Sequence, residues 1–132
     1  MVKVINVVGA IIIKNNKILC AQRGEGRALS YKWEFPGGKI EENETSREAL
    51  VRELNEELKL EVSVEPEPFE CTTYDYDFGT VTLTTFCCEI VGESEPVLTE
   101  HVAVKWLAPS ELTELDWAPA DVPAVEKLMM TR

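Results

Sequence analysis

Apolar positions along the chain fall in short runs that predict more strands than helices. Val4–Ile13 is β-branched and nearly all apolar, with Gly9 inside it, and predicts a strand buried on both faces. Lys14-Asn15-Asn16-Lys17 is a turn signal, and Ile18–Arg23 returns as a second strand, so the chain starts as a hairpin. Gly24–Lys32 is polar and predicts a mobile surface loop. In Trp33–Lys39, Pro36, Gly37 and Gly38 predict non-regular backbone. Thr45–Leu58 has helical periodicity, with Thr45 and Glu48 spaced as a capping box. Strands are expected at Glu61–Val64, Phe69–Asp77, Thr80–Val91 and Val102–Leu107. A helical turn is expected from Pro109, and a helix over Pro119–Met130 with Pro123 near its start. This is a mixed α/β domain in which one long helix packs on a sheet.

That helix carries the chemistry. With Glu53 at zero on a wheel of about 100° per residue, Glu57 falls near +40° and Glu56 near −60°. The three carboxylates share one face. Val51, Leu54 and Leu58 fall at roughly 100° to 160°, so the apolar stripe is expected on the far side. Such a face has two readings. It is a solvated acidic surface, or it is a site for a hard divalent cation, for which oxygen ligands suit Mg²⁺ or Mn²⁺. Two carboxylates about 4 Å apart repel by about 4 kcal/mol at an effective dielectric near 20. Beside a glycine-rich loop they cannot all splay apart, which favours the cation.

Composition narrows the partners. The 132 residues fit one domain, 1–132, and 45% are apolar, enough for an ordinary core. A net charge of −11 argues against nucleic-acid polymers and anionic membranes. It does not exclude a phosphorylated small molecule that arrives with a metal ion. Glu41–Glu61 holds eight of the 24 acids against three bases, a local −5. The cysteines, Cys20, Cys71, Cys87 and Cys88, form no CxxC pair, and with one histidine no structural zinc site is expected. Cys87 and Cys88 are read as packing residues on opposite sheet faces. There is no signal-peptide pattern, and Val7–Ile13 is too short to span a bilayer, so a cytoplasmic location is expected.

Gly38, five residues, Glu44, seven residues, then Arg52-Glu53-Leu54-Asn55-Glu56-Glu57-Leu58-Lys59-Leu60 resembles the Nudix box, G-x5-E-x7-R-E-U-x-E-E-x-G-U, where U is bulky and aliphatic. One defined position departs: Lys59 stands where the family has its second glycine. The family's glycine ends the helix in a left-handed conformation, so lysine there is expected to cost about 1 kcal/mol or to shift the cap, while suiting the negative helix end, with no ligand role. Glu34–Lys39 and Trp117–Pro123 extend the resemblance to the MutT-like branch, which includes 8-oxo-dGTP diphosphatases and CTP pyrophosphohydrolases. The resemblance implies an α/β/α sandwich with a mixed, curved sheet, one catalytic helix and a C-terminal helix. It also implies Mg²⁺-dependent cleavage of a nucleoside triphosphate, carried as its metal complex, to the monophosphate and pyrophosphate. A monomer or homodimer is expected.

Carried over by residue, the resemblance implies that Glu53, Glu56 and Glu57 bind metal, with a carbonyl of Gly37 or Gly38. Arg52 would pair with Glu44 and orient the carboxylates. Glu53, Glu56 and Glu100 are candidates for the general base. Arg23 and Lys39 are candidates for the phosphates, against a plain surface charge. Asp121 is the candidate base reader, against a helix N-cap. Phe35, Phe78 and Trp117 are candidates to stack on a base, against core packing. His101 is read as an exposed loop residue or a general base, and Tyr76 as a weak mark of dinucleoside-polyphosphate enzymes. Other substrates, such as dinucleoside polyphosphates or nucleotide sugars, and a non-catalytic binding module stand as alternatives.

Overall fold

A computed structural model describes residues 3–26 and 28–131. Strand β1 (Val4–Lys14) turns at Asn15 and Asn16 into β2 (Lys17–Arg23). Both asparagines have positive φ, 52° and 63°, which a two-residue hairpin turn requires and asparagine tolerates. β1 stays paired with β2 only near that turn, at Ile13–Ile18 and Lys14–Lys17. The two strands then part, and short β3 (Trp33–Glu34) and β4 (Gly37–Lys39) each take one partner: β3 pairs β2, and β4 pairs β1.

The backbone of Trp33–Lys39 is therefore more regular than the sequence suggests. Gly37 serves close approach and not a left-handed turn, because a Cβ there would run into the carbonyl of Val8 on β1. The loop before it, with Arg27 outside the described residues, is turn-rich and closed by backbone bonds from Arg23 N to Lys32 O and Tyr31 N to Arg23 O.

Helix α1 (Ser46–Leu58) carries the expected capping box: Thr45 Oγ1 accepts from Glu48 N, and Glu48 Oε1 accepts from Thr45 N at 2.9 Å. It ends at Lys59 with φ 56° and ψ 35°, in the left-handed region, where a residue with a Cβ loses about 1 kcal/mol against glycine. Strands β5 (Val62–Val64), β6 (Glu70–Tyr76), β7 (Gly79–Ile90) and β8 (His101–Leu107) follow. β7 runs parallel to β1 from Val4–Thr80 to Ile12–Cys88 and takes β6 and β5 antiparallel on its other edge. β8 lies antiparallel to β2. The expected C-terminal helix starts with a 3₁₀ turn at Pro119–Asp121 and becomes α2 (Val122–Thr131), with Pro123 in its first turn, where its missing N–H is harmless.

The mixed sheet has a helix on each face. Val8, Ala10 and Ile12 of β1 pack with Leu50, Leu54 and Leu58 of α1, while Ile11 faces Val125 and Leu128 of α2. Cys88 joins the first core and Cys87 packs against the second, so their opposite facing is as expected. Burial raises the thiols of Cys20 and Cys88 to about 12, which suits inert packing groups. The expectation that β1 is buried throughout fails at its start: Val4 is exposed and Ile5 half-buried. Neither helix covers that end, and Ile5 and Val7 line a cleft instead. Among the described residues no helix is long and apolar enough to cross a membrane.

Candidate active site

The cleft has a volume of about 940 Å³, at the upper end for small-molecule sites. It opens where β1 and β2 part and is walled by α1, β4, the Thr99–Glu100 segment and the 3₁₀ turn before α2. Arg23, Phe35, Gly37, Gly38, Lys39, Glu53, Glu56, Glu57, Phe78, Glu100 and Asp121 all line it. Eleven of the residues singled out from sequence are thus brought together. Glu44 and Arg52 stand behind them, and Trp117 lies elsewhere.

The α1 face differs from the expected one. Val51 is exposed, whereas Ala49, Leu50, Leu54, Leu58 and Glu57 are buried. Leu50 falls at roughly +60° on the same wheel, so the buried sector runs through Glu57. The acidic face and the apolar face overlap there. Glu57 is only 9% exposed, and its Oε2 has no hydrogen-bond partner among the described residues. Burial pushes its carboxyl up to about 9, helped by a side-chain hydrogen bond with Glu100 and by the charge of Glu53. An acid pushed this far from its ordinary value, with an orphaned oxygen in a cleft, is a candidate functional residue.

Arg52 organises the other carboxylates. Its Nε and Nη2 donate to the two oxygens of Glu44 at 2.6 and 3.0 Å, a bidentate fork. Its Nη1 donates to Glu53 Oε1 at 2.8 Å and Glu56 Oε2 at 3.2 Å, and Nη2 also reaches Lys39 O. The hydrogen bond to Glu44, then that to Glu53, hold the guanidinium charged against the opposing effect of burial. The same bond holds the Glu44 carboxyl below its ordinary range. Glu53 rests on the strap: a methyl on Gly38 would overlap its carboxylate. The Glu56 side chain is 61% exposed. Among the described residues no three potential ligands converge into a ready-made cage, so an ion would have to draw the carboxylates together. The orphaned Glu57 oxygen and the all-oxygen donor set fit a hard divalent cation.

The rest of the cleft suits a nucleotide's organic part. β3 pairs with the 116–118 segment through Trp33 N to Asp116 O and Ala118 N to Trp33 O, both 2.9 Å. That pairing sets Asp121 against Phe35, whose amide donates to Asp121 Oδ1 at 3.0 Å. Asp121 is therefore not a cap for α2. Burial and the Glu34 charge raise its carboxyl well above the ordinary range, against the lowering effect of that amide bond. Trp117 is 8% exposed, donates to Leu112 O at 2.7 Å and packs behind Phe35 with ring centroids 4.8 Å apart. It is a core residue that backs Phe35 and does not line the cleft. Phe78, 44% exposed, stacks on Tyr76 at 5.0 Å.

Four residues have roles that the sequence reading did not assign. Glu34 accepts from Arg23 Nη1 and bonds to His101 Nε2, both at 2.9 Å. Burial raises the Glu34 carboxyl, but those two partners outweigh it and leave it lowered. Its charge acts on both Glu57 and Asp121 and raises both carboxyls. His101 is buried and not an exposed loop residue. Arg23 is held by Glu34 and Ala28 O and is not a plain surface charge. An acid between Trp33 and Phe35 was the available signal for Glu34; its partner His101, 67 positions on, had none. Tyr76 is a clamp: its Oη accepts from Ala120 N at 2.8 Å and holds the turn that bears Asp121. Lys59, for which no ligand role is expected, lines the cleft. Tyr76→Phe leaves the buried Ala120 amide unpaired, and denaturant unfolding should report a loss of about 1–3 kcal/mol.

Residues 4–128 match the sequence profile of the NUDIX domain. The chain is 39% identical over 132 residues to the CTP pyrophosphohydrolase of Escherichia coli K12, covering 98% of this chain and 95% of that protein. It is 40% identical over 115 residues to a putative 8-oxo-dGTP diphosphatase 2 of Mycobacterium tuberculosis H37Rv, covering 87% and 81%. The solution structure of a MutT protein from methicillin-resistant Staphylococcus aureus 252 superposes with a TM-score of 0.81 at 53% identity, covering all of both chains. With the profile covering residues 4–128 and the Escherichia coli relative aligned over 98% of this chain, the chain belongs to the Nudix family of hydrolases.

Proposed function

We propose that the chain is a Mg²⁺-dependent nucleoside triphosphate pyrophosphohydrolase that yields the monophosphate and pyrophosphate from CTP, dCTP or an oxidised purine nucleotide such as 8-oxo-dGTP. The observation that carries this reading is the buried, orphaned carboxyl of Glu57 beside Glu53 and Glu100, in the same cleft as the Phe35–Asp121 pair. Glu53, Glu56 and Glu57 hold the ion, with Mn²⁺ as a substitute, and the Gly37–Gly38 strap offers a carbonyl. When bound, the ion offsets phosphate charge and acidifies an attacking water. Arg52 and Glu44 keep Glu53 and Glu56 oriented. Arg23 and Lys39 face the phosphates. Glu53 and Glu56 each give an oxygen to Arg52, so Glu100, which that guanidinium does not touch, is the carboxylate assigned to accept the water's proton.

Asp121 reads the base. With a proton it offers one donor and one acceptor, and suits an edge that pairs an acceptor with a donor. Guanine's N7/O6 edge has two acceptors and fits poorly. The relatives' named activities on CTP and 8-oxo-dGTP support this substrate range.

The test is a nucleotide panel with and without Mg²⁺, followed by product separation. Monophosphate and pyrophosphate are expected; orthophosphate release, or undiminished turnover in a chelator, contradicts the proposal. Asp121→Ala should change the ratio of kcat/KM between bases by about 10- to 100-fold while leaving the metal requirement intact. Equal loss on every nucleotide removes Asp121 as the reader.

A further inference from the structure

Lys59 stands where the sequence pattern has glycine, in a left-handed conformation that glycine adopts without strain. A strained backbone that persists beside a cleft points to a use for the side chain. The backbone under it is fixed. Lys59 N donates to Asn55 O, Leu60 N to Leu54 O, Val97 N to Leu58 O, and Thr99 Oγ1 to Glu57 O. The amine is not: among the described residues it makes no ion pair or hydrogen bond, although Glu56 and Glu57 are three and two positions away. The guanidinium groups nearby are committed, Arg52 to Glu44, Glu53 and Glu56, and Arg23 to Glu34. Lys59 is thus an uncommitted cation on the carboxylate-bearing helix, lining the same cleft. A helix C-terminus favours a cation by itself, but that does not require this position.

We infer that Lys59 is a phosphate-binding residue that holds the outer phosphates of the substrate, the pyrophosphate that departs. The inference rests on the triphosphate reading above. An ammonium is a compact donor for a phosphate oxygen and needs no fixed fork. Held at the end of α1, it adds positive charge, beside Lys3 and Lys39, to a cleft whose Arg23 is already paired with Glu34.

The test compares Lys59→Gly, Lys59→Asn and Lys59→Arg. Binding of inorganic pyrophosphate is measured by calorimetry with Mg²⁺, beside KM and kcat for the triphosphate and thermal unfolding. Lys59→Gly is expected to melt about 3 °C higher yet bind pyrophosphate about 10-fold more weakly and raise KM similarly, with kcat less affected. Asparagine, which tolerates the left-handed backbone, should show the same weakening without glycine's flexibility. Arginine should restore binding. Equal pyrophosphate affinity in all four proteins overturns the inference. A wild type that binds pyrophosphate but does not cleave triphosphates faults the substrate reading and leaves the binding comparison to judge Lys59.

Discussion

Glu57→Gln is expected to lower kcat by at least about 10³-fold while leaving the metal-free fold intact. The reason lies in the burial of this side chain, on the same sector of α1 as the buried Leu50, Leu54 and Leu58. Its carboxyl holds a proton up to about pH 9 in the folded, metal-free chain, against an ordinary value of 4.5 when unfolded. Between those values folding takes up a proton. Stability from this group is therefore greatest below about pH 4.5, declines as pH rises through the window, and levels off above 9. The raised carboxyl of Asp121 acts in the same sense. Glutamine mimics the protonated acid, so near pH 7 the variant should melt close to wild type and show a shallower pH slope. A divalent ion selects the ionised form, so added Mg²⁺ should raise the wild-type melting temperature and barely move the variant. A fully active variant, or one stabilised by Mg²⁺ as much as wild type, removes Glu57 from the ion site.

Arg52→Ala is expected to reduce both activity and stability. The arginine is the shared cation for Glu44, Glu53, Glu56 and the more distant Glu41. Without it these carboxylates face one another with no counterion, and the orientation of Glu53 against Gly38 is lost. Solvent screens part of the repulsion, so a loss of about 1–3 kcal/mol is expected in place of the unscreened sum. Activity should fall about 10- to 100-fold, as for other residues that orient ligands. Lysine keeps the charge but not the fork that grips both oxygens of Glu44, and should recover stability better than activity. High salt or Mg²⁺ should restore part of the melting temperature of Arg52→Ala. A salt-independent loss would point to packing in place of charge.

Local signals carried much of the fold. The Asn15–Asn16 turn, the Thr45–Glu48 capping box and the alternating strands are fixed by neighbours within a few residues, and they appear where expected. The box that spans Gly38 to Leu60 placed the glycine strap and the acidic helix in one cleft. What escaped was set by distant partners. The wheel put Glu57 on the polar side, but the real buried sector depends on what β1, β5 and the 97–100 segment press against α1. Trp117 resembled a stacking residue because of its surrounding motif, yet its indole finds Leu112 O and the core. Gly37 looked like a breaker of regular structure, whereas it lets β4 lie against β1. His101 and Glu34 acquire meaning only as a pair.

Proton release on Mg²⁺ binding tests the central claim most directly. Calorimetric titration of the metal at pH 7.5 in buffers of different ionisation enthalpy counts the protons displaced. Wild type is expected to release about one proton per ion, because the ion takes the place of the proton on Glu57. The release should be absent in Glu57→Gln. Binding with no proton release in wild type, or the same release in the variant, would contradict a divalent ion seated on this buried carboxylate.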